Sequence, residues 1–101
     1  MERFSSRTID ELNRITLHSE IRKSLGVQAG DKFSLKIAYS LVVLQRLDGE
    51  LESDCFVSQI NDLGMMELPY ELQQRLGWNE KDKVAMYLTG GMIILKLAEK
   101  N

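Results

Sequence analysis

The sequence predicts a mainly β protein with short helices (α+β), built from two tandem ββαββ repeats. Three observations predict it. Sliding the 101-residue chain on itself by 51 positions aligns 9–47 with 60–98 without a gap. Apolar residues alternate with polar ones in the stretches that follow each Gly-containing turn, the period-2 signature of half-buried strands. Between them, Ile21/Leu25 and Leu72/Leu76 lie four apart, as one face of a brief helix requires.

The matched pairs show what the duplication keeps. Identical are Ile9/Ile60, Leu12/Leu63, Leu17/Leu68, Glu20/Glu71, Leu25/Leu76, Gly26/Gly77, Asp31/Asp82, Lys32/Lys83 and Leu44/Leu95; Ile15/Met66, Ile21/Leu72, Phe33/Val84, Leu35/Met86 and Val42/Ile93 exchange one apolar residue for another. Core and turns persist, which marks an internal repeat.

Each element has a local reason. A first strand ends in DELN (10–13) or NDLG (61–64), and a second strand, RITL or MMEL, follows. Met65 and Met66 are expected in strand core. Pro69 suits the start of the second helix, and Gly26 and Gly77 suit the left-handed position just past each helix end. Phe33, Leu35 and Ile37, and Val84, Met86 and Leu88, alternate as strands. The runs LVVL and MIIL are continuously apolar, so these strands are expected to be covered on both faces. Gly90-Gly91 marks the last hairpin turn rather than a phosphate loop, since no GxxxxGK pattern accompanies it. The acidic LDGELESD (47–54) reads as a connector. The organisation is therefore repeat one over 1–47, connector 48–54 and repeat two over 55–101. A unit of about 40 residues buries too little apolar surface to stand alone. The short tether favours pairing of the two copies within one chain.

Composition bounds the function. Apolar residues make up 44% and charged residues 28%, an ordinary globular balance. No apolar run approaches the ~20 residues that span a bilayer, and MERFSSRTID has no secretory h-region. With Cys55 the only cysteine, a cytoplasmic protein is expected. The net charge of −2 hides an asymmetry: residues 1–50 carry 8 Lys/Arg against 7 Asp/Glu, whereas 51–101 carry 5 against 8. A phosphate-facing surface belongs to the first half.

The stretch IDELNRITLHSEIRKSLGVQAGDKFSLKI resembles the DNA-binding unit of the AbrB family of bacterial transition-state regulators, which includes SpoVT and MazE-like antitoxins. Repeat one matches over 7–47 and repeat two, more loosely, over 58–98. The resemblance implies a swapped-hairpin AbrB-type β-barrel whose turns and helices face DNA. It also implies DNA contacts from Arg7 before the first turn, Arg14 just after it, and Arg22 with Lys23 on the helix. The equivalent positions in repeat two are Ser58, Met65, Gln73 and Gln74, all uncharged. Two departures stand out: Asn13 replaces the usual turn glycine, which Asn tolerates, and His18 takes the slot of Pro69.

The helix face that turns Ile21 and Leu25 inward sends Arg22 and Lys23 outward. Arginine and lysine neutralise phosphates, and arginine also clasps guanine edges. Asp10 and Glu11 are expected to orient the neighbouring arginines or hold the turn. His18, the only histidine, builds no metal or catalytic cluster; Cys55 is expected to be a small buried thiol, and Trp78 barrel packing. The expectation is a nucleoid-associated transcription regulator that contacts double-stranded DNA and self-associates as a homodimer or larger. No cofactor, metal or catalytic residue is expected. The alternatives are an antitoxin that binds a protein toxin, against which stands the short AEKN after the last strand, and a scaffold without DNA binding.

Overall fold

The computed structural model of the chain describes residues 1–98; positions 99–101, the end of the AEKN segment, lie outside the described residues. The first repeat forms β1 (Glu2–Thr8), β2 (Arg14–Thr16), α1 (Ser19–Leu25), β3 (Lys32–Ala38) and β4 (Leu41–Arg46). The second forms β5 (Phe56–Gln59), β6 (Met65–Glu67), α2 (Tyr70–Leu76), β7 (Lys83–Thr89) and β8 (Met92–Leu97). The result is mostly antiparallel β with two short helices.

The helices start and stop as their sequences dictate. Gly26 and Gly77 sit at φ 65° and 68°, the left-handed cap that needs no Cβ, and their N–H groups bond back to carbonyls of the last turn. Pro69 stands at the N-cap of α2, while His18 caps α1 by accepting from the Glu20 N–H at 3.3 Å through Nδ1. The His18 ring also packs on Phe4, with centroids 5.0 Å apart. Gly90 and Gly91, both at positive φ, make the turn between β7 and β8.

The six-stranded sheet runs β1-β7-β8-β4-β3-β5, and β2-β6 form a separate two-stranded ribbon. Each hairpin is therefore flanked by the first strand of the other repeat: β1 on β7 and β5 on β3. The hairpins join through β4 and β8, where Val43 faces Ile94; in the ribbon, Ile15 faces Met66. Both are pairs of equivalent positions. An approximate two-fold axis thus passes through both ladders and relates the repeats.

The core sits on that axis. Ile9, Ile15, Leu17, Ile21, Phe33, Leu35, Val42 and Leu44 are buried, and so is the second-repeat equivalent of every one, with Trp78 added. Neither repeat could close this cluster alone, because each supplies half of it.

Several burial expectations fail, Met65 being half-buried rather than in the core. The LVVL and MIIL strands are covered on one face only: Val42, Leu44, Ile93 and Leu95 are buried, but Leu41, Val43, Met92 and Ile94 are half-buried. Both strands lie at the centre of the sheet, which accounts for their apolar character without a second layer. Cys55 is half-buried rather than buried; it ends the connector turn, where its N–H donates to the Glu52 carbonyl. Lys36 fastens this connector through ion pairs to Asp54 at 3.5 Å and Glu52 at 3.8 Å.

Candidate nucleic-acid interface

The β2–β6 ribbon and the two turns that feed it form one surface about the two-fold axis. In each turn a side-chain oxygen replaces a backbone partner. Asp10 Oδ1 accepts from the N–H groups of Leu12 (3.0 Å) and Arg14 (2.7 Å), and Asn61 Oδ1 from those of Leu63 and Met65, both 2.9 Å. The turns end in left-handed residues, Asn13 at φ 60° and Gly64 at φ 77°. Their carbonyls reach across the axis, Asn13 to the Leu68 N–H and Gly64 to the Leu17 N–H. The tips carry Leu12 and Leu63, 59% and 68% exposed, beside the ribbon.

The four cations singled out in the sequence occupy different environments. Arg14 opens β2 and donates through Nε to Asp10 Oδ2 at 2.9 Å, and it faces Glu67 across the ribbon. Burial pushes the Asp10 carboxyl up, but the Arg14 and Leu12 hydrogen bonds outweigh it and hold the group below its ordinary value. Asp10 thus holds both the turn and the arginine. Arg22 is half-buried and donates through Nε to the Leu17 carbonyl at 3.0 Å. Lys23 is exposed. Arg7 lies on β1, half-buried, with one Nη on Ser5 Oγ at 3.3 Å. Its equivalent, Ser58, donates its hydroxyl to the Glu67 carbonyl at the end of the ribbon, whereas the side-chain bond of Arg7 stays within β1.

The outward direction expected from the helix face holds for Lys23 and not for Arg22. The cause is the second turn. A Cβ on Gly64 would lie 2.5 Å from Arg22 Cζ, so the guanidinium packs directly over that glycine. At the matching place on the other side, Gln73 faces Asn13, and its Nε2 donates to Asn13 Oδ1 at 3.2 Å. The pairs are complementary: a long cation over glycine, a shorter amide against asparagine. The departure at Asn13 and the charge loss at Gln73 are one change on two elements. The signal for it in the sequence is the exchange of both residues at equivalent positions, Gly64 for Asn13 and Arg22 for Gln73.

The surface as a whole is mixed in charge, since Asp10, Glu11 and Glu67 lie among the cations. Of other candidate chemistry, Glu52, Asp54 and Cys55 bring three ligand-type atoms within 4.8 Å of one another. Lys36 already pairs with both carboxylates. Burial and then the neighbouring Asp54 and Glu52 push the Cys55 thiol up, away from the thiolate a metal prefers. No helix among the described residues is long and apolar enough to cross a membrane.

No protein-family model and no curated protein matches the sequence. Among solved structures, the solution structure of PHS018 from Pyrococcus horikoshii is similar over 99% of this chain and 96% of that one, at 20% identity and a TM-score of 0.54. At that identity the likeness is one of fold.

Proposed function

We propose that the chain is an AbrB-type transcription regulator with a swapped-hairpin β-barrel. On this reading, repeat one (1–47) contacts double-stranded DNA through Arg7, Arg14, Arg22 and Lys23, and repeat two (55–101) completes the barrel. The observation that carries the reading is how Arg14 of the ribbon and Arg22 of α1 are held. Arg14 and Arg22 are each anchored through Nε, to Asp10 and to the Leu17 carbonyl. Their Nη groups have no partner among the described residues. A guanidinium fixed by one edge keeps its fork for a phosphate or a guanine and loses little freedom on binding.

Four cations predict a log–log salt slope of about −3.6, and two associated chains about −7. The test is fluorescence anisotropy of the full chain with duplex DNA at several salt concentrations, for wild type and Arg14→Ala/Lys23→Ala. Both replaced side chains lie outside the core, so the fold should persist by circular dichroism. Binding should weaken by at least tenfold, with the slope reduced by about 2. Unchanged affinity in the double variant would overturn the site, and no binding by wild type would favour the scaffold reading.

A further inference from the structure

The second repeat has no cation at the positions equivalent to Arg22 and Lys23, and a cleft opens there. A cavity of about 530 Å³ opens between α2 and the first turn, lined by Asn13, Tyr70, Gln73, Gln74, Trp78 and Asn79 among others. The matching positions on the other side of the axis are Gly64, Ser19, Arg22, Lys23, Val27 and Gln28. There the Arg22 guanidinium lies over Gly64 and fills the notch. Gln73 is too short to do the same against Asn13.

The polar groups left in the cleft point to a ligand. Gln73 is only 6% exposed. Its Nε2 is occupied by Asn13 Oδ1 at 3.2 Å and by the Trp78 carbonyl at 3.5 Å. Its Oε1 has no partner among the described residues, and neither does Asn13 Nδ2. No buried side-chain polar atom among the described residues lacks a partner, so this oxygen opens into the cleft, where a ligand can reach it by displacing water. The Gln73–Asn13 bond locks the two amides together, so the lining offers one free acceptor and one free donor side by side. At the rim Tyr70 is 72% exposed, and its hydroxyl is held by Gln74 Nε2 at 2.6 Å.

The geometry points to a binding site for a nucleobase, taken up as a free nucleoside. An acceptor next to a donor complements the amino and ring-nitrogen edge of adenine, as a single Asn or Gln does in a groove. The exposed phenol ring is placed to cover a planar heterocycle. A sugar without a base lacks both the flat face and the paired edge. The volume accommodates a nucleoside with room for its ribose near Glu80, also in the lining. This site adjoins the cationic ribbon at Asn13 but does not depend on whether the ribbon binds DNA.

The test is a titration of the ¹⁵N-labelled full chain with adenosine, followed by the side-chain amide signals of Asn13 and Gln73 and the indole N–H of Trp78. Saturable shifts confined to these residues and α2 are expected, with a dissociation constant on the order of 0.1–1 mM. Ribose alone should leave them unmoved. Gln73→Met keeps the volume and the helix but removes the acceptor, and it should weaken binding at least tenfold. The pair Asn13→Gly/Gln73→Arg rebuilds the filled notch of the first repeat and should fold without binding. Absence of saturable shifts in wild type, or undiminished binding by folded Gln73→Met or the notch-filling pair, overturns the assignment.

Discussion

Gly64→Ala is the sharpest perturbation, because it touches a cation without changing any charge. The new Cβ would lie 2.5 Å from Arg22 Cζ and 2.8 Å from Nε and Nη1, so the guanidinium must move off the turn. Two costs follow. Holding alanine at φ 77° costs about 1 kcal/mol relative to glycine. Displacing Arg22 breaks its 3.0 Å bond to the Leu17 carbonyl, a charge-assisted bond at a half-buried site, for about 1–1.5 kcal/mol more. The total is about 2–2.5 kcal/mol. In an Arg22→Ala background only the backbone part remains, so a double-mutant cycle should give a coupling near 1–1.5 kcal/mol. Urea unfolding read through Trp78, which is 2% exposed, measures all four corners. With a slope of roughly 1–1.5 kcal/mol/M, the single mutant should shift the midpoint by about 1.3–2.5 M. An equal cost for Gly64→Ala with and without Arg22 would show that the guanidinium is not braced there. If the ribbon binds DNA, the same mutant should also bind several-fold more weakly despite an unchanged net charge.

Other expectations are simpler to state. Asp10→Ala removes the acceptor of three hydrogen bonds and should destabilise by about 1–2 kcal/mol in thermal or urea melts, whereas Glu11→Ala at an exposed position should stay within about 0.5 kcal/mol. Because Asp10 is held below its ordinary value, its contribution is complete above the unfolded carboxylate range and is lost as pH falls through the lower folded value. Stability of wild type minus Asp10→Asn should therefore shrink below about pH 4. Ile15→Ala and Met66→Ala, which face each other on the axis, should each cost about 2–5 kcal/mol and be non-additive in the double mutant.

Much of the fold was legible because it is written twice. Eight apolar positions of the first repeat are buried together with all eight equivalents, and such a pattern is visible in any register-preserving comparison of the halves. The helix caps at Gly26 and Gly77 were legible for a different reason: a left-handed cap selects glycine by sterics alone. The exposure of Val43 and Ile94 was not, since a central strand of an open-faced sheet and a doubly covered strand both read as apolar runs. At the candidate site, residue types were readable and their environments were not. Whether Arg22 reaches solvent depends on Gly64, which is 42 positions away in sequence and on the other side of the axis. A local helix-face argument sees neither. The cleft escaped for the same reason: losing the arginine reads as lost charge, while in three dimensions it is gained space.

The pairing of each hairpin with the other repeat's first strand, inside a single chain, has a consequence for how such a protein changes over time. In a barrel assembled from two identical chains, every replacement appears on both sides at once, and a contact crossing the axis must tolerate itself. Covalent fusion removes that constraint. One turn can become asparagine while its counterpart stays glycine, and the helix opposite can follow. The halves also stay together at any dilution, so a change that weakens their contact lowers stability without scattering the subunits.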